Sequence, residues 1–166
     1  MRYTALAAIW PALIVLAAPA DQAAVQSSNL YDGGGSVKIP YASGGVADSP
    51  TLHLSFDGAD GPPVAFVMDT GSVGIIASPD NFTPGPNARN LGPGVQIYTS
   101  SGRVENGTWY TAQQFIYRGD TLVAVAEVPV LQVTSVTCLP DARDCQPSDH
   151  PTGIALMGIG FARENT

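Results

Sequence analysis

Residues 64–77 read VAFVMDTGSVGIIA: five apolar residues, then Asp69-Thr70-Gly71-Ser72, then Val73, Gly74, an Ile pair and Ala77. An acidic side chain at the end of an apolar strand costs burial energy, so stability alone does not explain Asp69. The five residues before it read as a continuous apolar strand near a domain centre. Any fold for this chain must therefore deliver a carboxylate at the end of a buried strand. An ordinary β-turn would accept Asp-Thr-Gly-Ser equally well. It would not require an apolar strand before it and Ile75-Ile76 after it.

The rest of the chain reads as all-β. Eighteen Gly and fourteen Pro punctuate it, and no long window carries a helical apolar period. Residues 37–41 alternate, and residues 51–56 alternate with Leu52, Leu54 and Phe56 on one face. The turn cluster at 57–63 joins this segment to the apolar strand, giving a hairpin over 51–68 that ends at Asp69. Residues 81–94, dense in Pro, Gly and Asn, are expected to form a loop. A second hairpin is predicted with strands at 95–98 and 108–117 turned around 99–107, then a strand pair at 122–127 and 129–136. After a cysteine loop comes the apolar, glycine-punctuated segment 153–161.

The first twenty residues are set apart. A short positive start at Arg2, an apolar stretch over 4–17 and Ala18-Pro19-Ala20 form a signal peptide, with cleavage expected before Asp21. The stretch is broken by Pro11 and short for a membrane span, so no membrane association is expected after cleavage. The remaining chain, 21–166, is one domain or one lobe of something larger, bound for a secreted or periplasmic location. Seven Lys and Arg against fourteen Asp and Glu give a net charge of −7, which becomes −8 when Arg2 leaves with the signal. That balance argues against nucleic acid and against anionic lipid. Cys138 and Cys145 enclose a short loop and, in an exported chain, read as a disulfide. Only Asp144, Asp149 and His150 stand near them as further ligands, so no metal site is expected. Asn81 and Asn106 head Asn-x-Thr sequons.

VMDTGSVGIIAS resembles the active-site segment of the pepsin-like aspartic proteases, and three further features fall in that family's order. A Gly61-Pro62 turn precedes the triplet. A flap-like hairpin follows, with Tyr98 near its start and Gly102 at its tip. Leu156-Met157-Gly158 is similar to the segment that crosses beside the catalytic loop. The resemblance spans roughly residues 35–163 and implies a single lobe of the pepsin-like fold, a β-barrel-like body closed by hairpins. It implies Asp69 as a catalytic carboxylate, with Gly71 bringing backbone N–H groups toward it and Ser72 orienting it. It also implies that Thr70 locks against a partner lobe and that Tyr98 closes over a polypeptide substrate. Water is the nucleophile, so no cofactor is implied. Trp109 or Tyr110 could be the flap ring in place of Tyr98, and one departure stands out: where the family usually carries a Trp just past the triplet, this chain has Val73-Gly74-Ile75-Ile76.

The implied chemistry needs two carboxylates that share a proton, and only one Asp-Thr-Gly occurs. The partner is expected as a second lobe beyond Thr166. The alternatives are a second copy of the chain, as in retroviral-type proteases, and a lobe of the same fold that binds protein or carbohydrate without catalysis. On any of these, the isolated chain is not expected to complete a dyad.

Overall fold

The computed structural model describes residues 38–43, 45, 48–57 and 62–160. The signal segment, Val37, Gly61 and residues 161–166 lie outside the described residues. Seven strands follow one another: β1 (Thr51–Phe56), β2 (Val64–Asp69), β3 (Val73–Ala77), β4 (Arg89–Tyr98), β5 (Arg103–Arg118), β6 (Thr121–Cys138) and β7 (Ala155–Ile159). They form one mixed sheet in the order β1-β2-β7-β3-β6-β5-β4, and β1 also pairs with β5, so the sheet is a partly closed ring. The all-β class is as the sequence implied, and no helix occurs among the described residues.

The expected hairpin over 51–68 is present, with β1 and β2 antiparallel and Leu52 opposite Phe66. Leu52, Leu54 and Phe56 turn inward together and join Phe66, Ile75, Phe82 and Val130 in one core cluster. A second cluster of Ile76, Leu131, Val133, Val136 and Ile154 lies on the opposite face of β3 and β6. This explains the uninterrupted Ile75-Ile76 and Val130-Leu131 pairs: a strand buried on both faces has no position to give to solvent.

Four local expectations need correction. Residues 38–41 are not a strand; Ser43 alone bridges to Thr51. The 81–94 loop ends early, because β4 already begins at Arg89. A bulge between Asn90 and Gly92 accommodates the irregular residues, with Asn90 Oδ1 accepting from the Gly92 N–H at 2.8 Å. Pro93 is tolerated there because β4 is an edge strand, paired only with β5. The turn of the second hairpin is short, Tyr98 pairing directly with Arg103, so β5 starts at 103 rather than 108. The strands foreseen at 122–127 and 129–136 are one strand of 18 residues. Pro129 does not break it, since β3 pairs with β6 only from Val130 onward.

Candidate active site

β7 decides where Asp69 goes. It lies between β2 and β3, parallel to the first and antiparallel to the second. The two strands joined by Thr70-Gly71-Ser72 are thus not paired with each other; the intervening strand holds them apart and the connection protrudes as a loop. Leu156, Met157 and Gly158 register with Val67, Met68 and Asp69, and Gly158 is also opposite Gly74. Gly158 is the one residue type that fits, because a Cβ there would come within 2.6 Å of the Ser72 carbonyl carbon and the Val73 nitrogen. The structure thus brings Leu156, Met157 and Gly158 beside the triplet.

Within the loop, the Gly71 N–H donates to Asp69 Oδ1 at 2.8 Å, the backbone support the resemblance implied. Asp69 Oδ2 is buried without a hydrogen-bond partner. Thr70 is exposed at the loop's tip. Ser72 is buried, but its hydroxyl does not donate to Asp69 and has no partner. The expected orienting bond is therefore absent.

The β4–β5 hairpin carries Tyr98 toward this loop. The Tyr98 hydroxyl is buried and close to that of Ser72, yet neither meets hydrogen-bonding geometry with a partner. Burial first, then the nearby charges of Glu105 and Asp69, push the Tyr98 pKa well above the ordinary phenol value. Gly102 sits at the hairpin's tip with φ 77°, a conformation that suits glycine. Trp109, one of the two alternative flap rings, packs against Gly74 and Gly94. Tyr110 instead joins the first core cluster, 6.1 Å from Phe82.

Two charged residues of this hairpin were not singled out in the sequence. Arg103 Nε donates to Glu105 Oε1 at 2.7 Å, and Glu105 is 1 % exposed. Burial raises the Glu105 pKa; Arg103 draws it down again, and the negative charge of Asp69 adds to the rise. Their signal was the i, i+2 spacing, which on a strand puts both side chains on one face. With Tyr98, Val67, Ile154 and Leu156 they line a cleft of about 420 Å³. Asp69 itself does not line the cleft; Val67, two residues before it on the same side of β2, does. Its far wall is fixed by the loop before β7, where Gly153 N–H donates to Asp80 Oδ2 at 2.9 Å and Ile154 N–H to Ser78 Oγ at 2.8 Å. A smaller cleft of about 220 Å³ at Asn87, Arg89 and Glu127 contains none of the expected site residues.

Cys138 and Cys145 form a disulfide, as the sequence implied. The loop it closes docks on the hairpin tip: Leu139 N–H donates to the Gly102 carbonyl at 2.8 Å, and Arg143 N–H to that of Ser101 at 3.2 Å. The side-chain amides of both sequon asparagines are engaged, Asn81 with the Ile154 carbonyl and Asn106 with the Thr137 hydroxyl. Among the described residues, no three His, Cys, Asp or Glu side chains converge as a metal site, and no helix is long and apolar enough to cross a membrane. Comparison with known protein families finds no model that matches the chain, and comparison with curated proteins finds no significant match.

Proposed function

We propose that this chain is one lobe of an exported aspartic endopeptidase of the pepsin-like kind, with Asp69 as one of two carboxylates that activate water. The observation that carries the reading is the crossing of β7 between β2 and β3, which holds Asp69 at the end of β2, two residues beyond the cleft residue Val67. That crossing is what the resemblance implies for Leu156, Met157 and Gly158. The hairpin bearing Tyr98 near the same cleft, and the Gly71 N–H on Asp69 Oδ1, favour the same reading.

In the proposed chemistry, Asp69 faces a second carboxylate across a bound water, and the pair holds one proton because like charges so close do not both ionise. The ionised member takes a proton from the water as its oxygen attacks the peptide carbonyl carbon, and the protonated member donates to the carbonyl oxygen. Collapse of the tetrahedral intermediate breaks the C–N bond, and the amine leaves with a proton. The apparent pKa values belong to the pair rather than to Asp69. Tyr98 closes the cleft and excludes water from the reacting bond. The partner carboxylate comes from a second lobe or a second copy. Val73 and Ile159, cross-strand neighbours that are 45 % and 42 % exposed, offer apolar surface beside Thr70 for that partner. The disulfide suits an oxidising, extracytoplasmic compartment.

The test is peptide hydrolysis at roughly pH 3 to 5 by the full-length protein, with any sequence that follows Thr166 included, in the presence and absence of a statine-type inhibitor. Inhibitable cleavage that is lost in Asp69→Asn is expected; cleavage surviving that change overturns the assignment. A rate rising with the square of protein concentration identifies a second copy as the partner, and a linear rise identifies a lobe within one chain.

A further inference from the structure

The dyad chemistry leaves the Arg103–Glu105 pair without a task. Arg103 stands opposite Tyr98 in the hairpin and Glu105 two residues further along β5, so all three side chains share the inner face. Glu105 is buried against the second apolar cluster, and one of its oxygens, Oε2, has no partner. Taking a carboxylate out of water costs several kcal/mol, and a single bond to a partly exposed arginine returns little of that. Stability therefore does not account for the pair.

Its geometry does suggest a use. Glu105 engages Nε, and among the described residues the two terminal Nη groups of Arg103 donate to no carboxylate and have one edge left open. Both residues line the cleft, the Arg103 side chain 36 % exposed and that of Glu105 only 1 %. The buried Glu105 thus holds Nε of a guanidinium on the cleft wall and leaves its Nη edge unengaged by a carboxylate. Such an edge matches a carboxylate in a two-bond fork that an ammonium does not reproduce. The apolar walls at Val67, Ile154 and Leu156 suit the stem of the residue that carries it.

We propose that Arg103 is a specificity determinant and that this cleft takes a carboxylate of a polypeptide, with Glu105 as the residue that positions Arg103. The carboxylate is an Asp or Glu side chain or a chain terminus. What happens to the bound peptide rests on the protease reading; the binding does not.

Binding is measured on the Asp69→Asn protein near pH 6, by titration calorimetry, with four capped or uncapped peptides. One carries a single internal Glu and blocked ends, its control has Gln there, and the other two share the Gln sequence with a free or an amidated C-terminus. A carboxylate peptide is expected to bind about tenfold or more tightly than its neutral control. The pair that differs identifies side chain or terminus as the source. Arg103→Gln should erase the ratio, Arg103→Lys should keep only a small part of it, and Glu105→Gln should reduce it. Equal affinities in all peptides, no binding below about 1 mM, or a ratio that survives Arg103→Gln in a protein that retains its fold by circular dichroism overturns the proposal. Full-length protein, with any sequence that follows Thr166 included, that binds carboxylate peptides and cleaves none refutes the protease reading alone. Cleavage without acid preference refutes the role of Arg103 alone.

Discussion

Replacing Gly158 by alanine probes the crossing strand directly. The added methyl carbon would come within 2.6 Å of the Ser72 carbonyl carbon, 2.6 Å of the Val73 nitrogen and 2.7 Å of the Gly74 oxygen. All three are backbone atoms, so no side chain can rotate away. β3 cannot simply withdraw, because five residue pairs hold it to β7 and three more hold it to β6. Overpacking in a well-filled interior costs about 1–3 kcal/mol, and the upper end applies where backbone must move. With a urea m value of about 2 kcal/mol/M, a loss of about 3 kcal/mol lowers the unfolding midpoint by about 1.5 M. Urea titration followed by Trp109 fluorescence reads this shift. Gly45→Ala is the control, since a Cβ at that position meets nothing within 4 Å. On the protease proposal, displacing Asp69 by about 1 Å should also cut peptide hydrolysis by the full-length protein about a hundredfold. A Gly158→Ala midpoint within about 0.3 M of wild type, with unchanged hydrolysis, would refute the packing of β7 against this loop.

Glu105 makes the protein's stability fall with pH. Its folded pKa is raised, so between the unfolded value near 4.5 and the higher folded value the native state holds the extra proton. Stability should decline as pH rises through that window, and Glu105→Gln should flatten the decline; parallel wild-type and variant profiles from pH 4 upward would contradict this. Opening the Cys138–Cys145 bridge by a double Cys→Ser change should cost about 2.5 kcal/mol by the chain-entropy relation for so short a loop. Amide exchange at Leu139 and Arg143, which bond to the hairpin tip, should quicken more than exchange in β1 and β2. Uniform loss of protection would mean that the bridge serves the whole fold and not the tip.

Much of the sheet could be read from local pattern. The alternation of Leu52, Leu54 and Phe56 and the unbroken Ile75-Ile76 gave the right faces because burial acts residue by residue. Strand lengths were harder. Pro129 and the Gly92-Pro93-Gly94 run are strand breakers in general, but here each occupies a position where a ladder bond on one side is not required. Edge status and the end of a neighbour's pairing are properties of the tertiary fold and leave no mark on the local sequence. At the candidate site, Asp69 and its Gly71 support were legible from the triplet. The Ser72 hydroxyl was expected on Asp69 and is instead near Tyr98, a difference set by side-chain orientation within a buried loop. Arg103 and Glu105 carry little local signal because charged pairs are common on exposed strands, and the burial of Glu105, between Gln96 of β4 and Val136 of β6, is set by tertiary packing.

The position of β7 also governs when the protein can acquire its shape. Synthesis delivers β2 and β3 early, but the strand that belongs between them is made only after β4, β5, β6 and the disulfide loop. Until Ala155–Ile159 has emerged, β2 and β3 present open edges around an unfilled slot, each able to recruit a foreign strand. The long-range pairing of residues 69 and 158 is the kind of contact that slows folding. In an oxidising compartment the Cys138–Cys145 bridge can already have formed by that stage. That order of events, with oxidation of the hairpin clasp preceding insertion of β7, would make the yield of folded protein the first property to suffer from mutations in β7.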